Sequence, residues 1–342
     1  MTIKYKNILV TGGSGFIGSN FVHNFLDNNT DTKVHNIDKL TYAGNNNNHQ
    51  ISNKNPNYNF INADICSQED VSYILDEKDI EAIVHFAAES HVDRSIEGPS
   101  EFINTNILGT FNLLQCSLKH YKKRGEFLFM HVSTDEVYGS LTIDDAPFTE
   151  NHQYAPNSPY SASKASSDHL VRAWFHTFGL PVITTNCSNN YGPFQFPEKL
   201  IPLTIQNALN DKPIRIYGDG SNIRDWLYVK DHCNAIEAVM AKGKYGEVYN
   251  VGGLNEKTNL EIVNTICETL DDLVPKDGSY KRLIEFTDDR LGHDFRYAID
   301  QNKITNDINW TPFETFETGI QKTIKWYIDN QKWINDLEKS KS

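Results

Sequence analysis

The chain has 342 residues, 39% of them hydrophobic, with 45 acidic against 32 basic side chains and a formal net charge of −13. Its apolar content suffices for a large core, which excludes a disordered chain, and its length predicts one large domain or two intimate ones. The acidic balance supplies no basic face for a nucleic-acid duplex, although a local cluster of cations and backbone N–H groups can still hold a small phosphorylated ligand.

Residues 6–11 read as a short β-rich run that ends in glycines, and Phe16, Ile17, Phe21, Val22 and Phe25 then recur at helical spacing. A second strand is expected over 34–38. Further strands are expected over 59–63, 82–86, 127–132 and 182–185, with helical patterns over 71–75, 102–120 and 162–178. Strands alternating with helices, and too apolar to be half exposed, predict an α/β fold with a doubly wound parallel sheet covered on both faces. The Asn-rich patch 45–48 reads as a solvated loop without chemistry.

After Tyr191-Gly192-Pro193 the texture changes to short strands (214–217 and 247–250) mixed with helices such as 260–270. An amphipathic helix over 316–337 is expected to turn Trp326 and Trp333 toward the core. This places a dinucleotide-binding domain over 1–190 and a smaller α/β substrate-binding domain over 191–342, with segments free to interleave. No run approaches the ~20 apolar residues of a membrane span, and the first residues do not read as a secretion signal. Five dispersed cysteines without Cys-x-x-Cys read as reduced thiols of a cytoplasmic protein, with no metal site expected.

Glycines 12, 15 and 18 follow the first strand and open the first helix. There the backbone can approach a pyrophosphate, and the helix N-terminus offers unpaired N–H groups. Asp38 ends the second strand about 20 residues past Gly18, the spacing at which a carboxylate reaches the adenosine ribose. A carboxylate repels a 2′-phosphate, so NAD is expected rather than NADP; the adjacent Lys39 works against that choice.

Tyr160 and Lys164 are four apart, hence on one helix face. A free phenol titrates near pH ~10, and bringing it toward neutrality takes roughly 4 kcal/mol of electrostatic stabilisation, which a lysine cation and a nicotinamide cation can supply. Thr134, Asp135 and Glu136 follow the apolar run 129–132, at the strand end where open α/β sheets place ligands. Two adjacent carboxyl groups suit a reaction that needs a proton donor and an acceptor, provided their environments separate them.

The glycine loop, Asp38, Asp64-Ile65, His85-Phe86-Ala87-Ala88 and Tyr160-x-x-x-Lys164 together resemble the extended short-chain dehydrogenase/reductase family, with its Rossmann-type fold. Within it, the segments 38–44, 87–95, 189–193, 198–202, 224–226 and 289–294 are most similar to the branch of dTDP-glucose 4,6-dehydratases, which places small residues at neither 135 nor 136 as epimerases do. The resemblance implies NAD contacts from Gly12, Gly15, Phe16, Ile17, Gly18, Asp38, Lys39, Leu40 and Thr41. It implies more from Asp64, Ile65, Phe86, Ala87, Ala88, Ser90, Thr105, Tyr160, Lys164 and Asn190. For the sugar nucleotide it implies Ser90, Thr134, Asn189, Lys199, Leu200, Arg215, Ile216, Tyr217, Arg224, Asn259, Asp289, Arg290, Gly292 and His293.

The implied activity is dehydration of dTDP-glucose by transient hydride transfer to a retained NAD. Catalysis is implied for Thr134, Asp135, Glu136, Tyr160 and Lys164, in a homodimer that binds neither nucleic acid nor membrane. The same dehydration on a UDP- or CDP-hexose, and 4-epimerisation, remain the alternative readings; a non-catalytic sugar-nucleotide or NAD sensor is a third, against which the intact set Thr134, Asp135, Glu136, Tyr160 and Lys164 argues.

Overall fold

The computed structural model describes residues 3–50, 52–289 and 293–339. Its centre is a seven-stranded sheet in the order Val248–Val251, Val182–Cys187, Leu128–Thr134, Ala82–His85, Asn7–Thr11, Lys33–Asp38 and Tyr58–Asn62. Every neighbouring pair is parallel. This is the Rossmann-type arrangement, and the strand order reverses between Asn7–Thr11 and Ala82–His85. A crevice therefore opens at their carboxyl ends.

Alternation along each strand feeds two cores. Ile8 and Val10 join Phe21, Val22, Phe25, Ile236 and Val239 on one face, whereas Leu9 joins Val71, Ile74, Leu113, Val171 and Trp174 on the other. Because both faces are buried, the strands carry apolar side chains at successive positions, the pattern visible in the sequence. A third core, around Tyr191, Ile205, Ile216, Ile262, Phe316 and Tyr327, supports the C-terminal half. That half is not sealed off. Strand Val248–Val251 returns to the large sheet, and helix Val229–Lys242 packs against helix Phe16–Asn28.

Three local expectations change. The stretch expected as one helix over 102–120 is Pro99–Phe102, a π-helical turn Ile103–Gly109, and Thr110–Arg124. At the wide turn the buried Asn106 pairs with the backbone N–H and carbonyl of Glu89, both at 2.9 Å, and donates to Ser163 Oγ at 2.8 Å. The C-terminal helix breaks at Asn330, whose side chain bonds back to Trp326 O at 2.8 Å, leaving Phe316–Asp329 and Gln331–Lys339. The Asn-rich patch is not a solvated loop: Asn46–His49 is a 3₁₀ turn with Asn48 and His49 buried. Asparagine amides can satisfy backbone groups inside a protein as well as water can, so composition alone misleads there.

Candidate active site

The glycine loop is shaped by close approaches. Gly12 has φ +70°, and a Cβ there would lie 2.6 Å from the Ala87 backbone. A Cβ on Gly18 would collide with Gly12 O, so the first helix starts directly beneath the turn. Gly15 caps that helix without a side-chain hydrogen bond, leaving its first N–H groups open toward the crevice. Asp38 receives the N–H of Ser14 at 2.9 Å and that of Leu40 at 2.8 Å, and burial pushes its carboxyl above the usual range. Lys39 is paired with Asp64 at 2.8 Å, so the lysine that argued for a 2′-phosphate is already neutralised.

One cleft runs from this loop across the strand ends. Gly12, Gly15, Phe16, Ile17, Gly18, Asp38, Lys39, Thr41, Asp64, Ile65, Phe86, Ala87, Ala88, Ser90, Thr105 and Asn190 line it. So do Thr134, Asp135, Glu136, Tyr160, Lys164, Asn189 and Lys199. Leu40 is off the wall, contributing its N–H to Asp38. The residues present fit NAD: an open helix N-terminus for the pyrophosphate, a carboxylate for the ribose, and buried Asp135 Oδ2 and Asn189 Oδ1 lacking a partner among the described residues.

Thr134 ends strand Leu128–Thr134, Asp135 and Glu136 open the 3₁₀ turn Asp135–Tyr138 that follows it, and Thr134 Oγ1 receives the Glu136 N–H at 3.3 Å. The Asp135 carboxyl is held well above the usual carboxylate range, by burial first and then by Glu136 and Asp225. Burial thus favours its protonated form. Tyr160 and Lys164 face the same cleft from helix Pro159–Phe178, which a Ser158–Ser161 capping box starts. The lysine ammonium donates to Val132 O at 2.9 Å, and burial lowers its pKa against the pull of Asp168. Burial, then Glu136, raise the Tyr160 phenol well above its usual value, while a Thr134 hydrogen bond works the other way. The protein groups around this phenol thus shift it opposite to the expected lowering, and a cofactor's positive charge would act in the other direction.

The remaining predicted substrate contacts lie off this wall. Arg224 is buried, donating to the carbonyls of Ile223, Asp294 and Phe295 at 2.7–3.2 Å and covering the Tyr297 ring at 4.3 Å. Its charge is felt at Asp135, which it pulls toward ionisation. Asp289 and His293 pair at 2.7 Å beside Tyr217 and Gly218. Arg215 and Tyr217 are exposed on strand Ile214–Tyr217, whereas Ile216 points into the third core. Leu200 and Asn259 are the first residues of helices Leu200–Leu209 and Asn259–Leu273. Arg290 and Gly292 lie outside the described residues.

Sequence reasoning missed Tyr42, Glu89, Ser133, Cys187, Ser188, Gln195, Phe196 and Glu198 on the cleft wall. Tyr42 and Glu198 stood in segments used for the resemblance, yet only the fold brings Arg94 over the Tyr42 ring at 3.6 Å and within 3.4 Å of Glu198.

A family model described as GDP-mannose 4,6 dehydratase matches residues 9–323. The chain belongs to this family. The GDP-mannose 4,6-dehydratase family is a branch of the extended short-chain dehydrogenases/reductases. A dTDP-glucose 4,6-dehydratase of Salmonella typhimurium is 55% identical, over 97% of this chain and 95% of the relative. The dTDP-glucose 4,6-dehydratase of Bacillus anthracis, solved in complex with NAD, superposes with a TM-score of 0.88 at 49% identity, covering 97% and 99% of the two chains. That of Streptomyces venezuelae, solved with NAD and dTDP bound, gives a TM-score of 0.90 at 44% identity, over 97% and 99%.

Proposed function

We infer that this chain is an NAD-dependent hydro-lyase that converts dTDP-glucose to dTDP-4-keto-6-deoxyglucose and water. The observation that carries the chemistry is the buried Asp135, its carboxyl held above the usual range, beside Glu136 on the wall that also holds Tyr160. A 4-epimerase removes and returns a hydride at one carbon without eliminating water, and has no use for such a pair. The nucleotide is assigned from the relatives' names.

NAD, when bound, accepts the C4 hydride and returns it to C6 in the same turnover. Tyr160, positioned by Thr134, takes the proton of the sugar 4-hydroxyl, and the 4-ketone so formed acidifies C5. Glu136 removes the C5 proton, and Asp135 delivers its proton to the leaving 6-hydroxyl, which departs as water. Glu136 then reprotonates C5. Lys164 anchors the nicotinamide ribose, Asp38 the adenosine ribose, and Lys199 with the N-terminus of Leu200–Leu209 supplies positive potential for the diphosphate. Arg224, Asn259, Asp289 and His293 form the far end of the sugar-nucleotide site in this reading. The reading keeps a cofactor half over 1–190 and a substrate half over 191–342 with interleaved segments, supported by the third core around Tyr191, Ile262 and Phe316.

Purified protein without added cofactor, incubated separately with dTDP-, UDP-, CDP- and GDP-hexoses, is expected to remove one water from dTDP-glucose alone, read by mass spectrometry. Loss from another nucleotide would overturn the base assignment, and loss from none, with NAD supplied, would overturn the dehydratase.

The reading extends to a homodimer through the helices around 102–120 and 162–178, where Ile103, Leu108, Phe111 and Phe178 are exposed apolar side chains. It extends to the cytoplasm, supported by five free thiols; among the described residues no helix is long and apolar enough to cross a membrane. Size-exclusion with light scattering should give twice the chain mass, and one chain mass would remove the dimer. Cell fractionation tests the compartment.

A further inference from the structure

The glycine-rich loop is held from the opposite end of the chain. Ser14, at its tip, is fully buried, and its polar groups are all engaged. Its N–H donates to Asp38, its hydroxyl meets His49 Nε2 at 2.9 Å, and its carbonyl accepts from Asn45 N at 3.0 Å and Asn48 Nδ2 at 2.9 Å. The oxygen of the same Asn48 amide accepts the indole N–H of Trp333 at 2.8 Å, across 285 residues of sequence. Helix Gln331–Lys339, which carries Trp333, is anchored in the third core by the buried Ile334. The Trp333 ring packs on Phe194 at 5.9 Å, which in turn packs on His23 of the first helix at 5.5 Å.

We propose that Asn48 and Trp333 are positioning residues for cofactor retention: the indole fixes the Asn48 amide, the amide fixes the Ser14 carbonyl, and the C-terminal helix thereby sets how long NAD stays bound. The inference rests on the NAD-dependent reading above. Loop N–H groups hold a pyrophosphate in one backbone shape only, and a loop already set in that shape loses less of its binding free energy to ordering. Retention matters for this reaction in particular. The cofactor is reduced early and reoxidised late in one turnover, so NADH lost in between strands a 4-keto intermediate.

Trp333→Phe keeps the ring packing and removes only the donor. NAD release from the purified holoenzyme, followed after dilution into a cofactor-free buffer, is expected to be roughly five- to tenfold faster, as for loss of one partly buried hydrogen bond. Asn48→Ala should act likewise, and the double variant should release NAD no faster than Asn48→Ala alone, since both act through one amide. The KM for NAD should rise by more than kcat falls. Unchanged release from either variant, at a Tm matching the parent, overturns the proposal, as does full additivity in the double variant. A parent protein that binds no NAD overturns the cofactor reading and this inference together.

Discussion

Tyr160→Phe is expected to lower turnover by about 10²–10⁴-fold, the usual contribution of a positioned acid–base group, and to abolish the absorbance of enzyme-bound NADH on mixing with substrate. In the proposed mechanism the phenol, hydrogen-bonded to Thr134, takes the 4-hydroxyl proton, and oxidation cannot begin without that transfer. Burial and Glu136 raise its pKa, so the parent's oxidation rate should climb with pH as the phenol ionises. A base must be deprotonated to act, so the limb rises rather than falls. Phenylalanine keeps the packing against Phe102, whose ring lies 6.3 Å away, and should remove both the rate and its pH limb. Full activity, or an NADH signal of normal amplitude, would sink the assignment.

The double substitution Asp135→Asn with Glu136→Gln should give the opposite spectroscopic result. Oxidation needs neither carboxyl, so bound NADH should appear; with elimination slowed by about 10²–10⁴-fold, the hydride has no acceptor at C6 and the signal should persist. Stability also separates the roles. Asp135 has a folded pKa raised above its unfolded value, so the native state binds the extra proton and loses stability as pH rises through that window. An amide mimics the protonated acid without titrating. The single substitution Asp135→Asn should therefore leave the protein no less stable at neutral pH, which thermal unfolding reads directly. Formation of 6-deoxy product by the double variant at the parental rate would mean that other groups carry the acid and base.

Much of this site was legible because its parts are local. Gly12, Gly15 and Gly18 lie within one turn, Tyr160 and Lys164 within one helical repeat, and Thr134 to Glu136 at one strand end. Each therefore carries its chemistry in its own spacing. The electrostatics were less legible. Proximity in sequence suggested that Lys164 controls the phenol, whereas its ammonium is given to Val132 O and burial dominates both groups. Arg224 was implied as a sugar-nucleotide contact, yet its guanidinium serves three backbone carbonyls.

The sequence by itself determined the alternation of strand and helix, the dinucleotide loop with Asp38, and the acid pair with its tyrosine and lysine, because apolar periodicity and short motifs act over a few residues. Only the tertiary structure decided that residues 248–251 close the large sheet and that Lys39 is neutralised by Asp64. It alone decided that burial raises the Asp135 carboxyl and that an asparagine patch joins the cofactor loop to Trp333. Those outcomes depend on burial and on partners distant in sequence, and the free energy of a buried charge or hydrogen bond is set by its surroundings in space rather than along the chain.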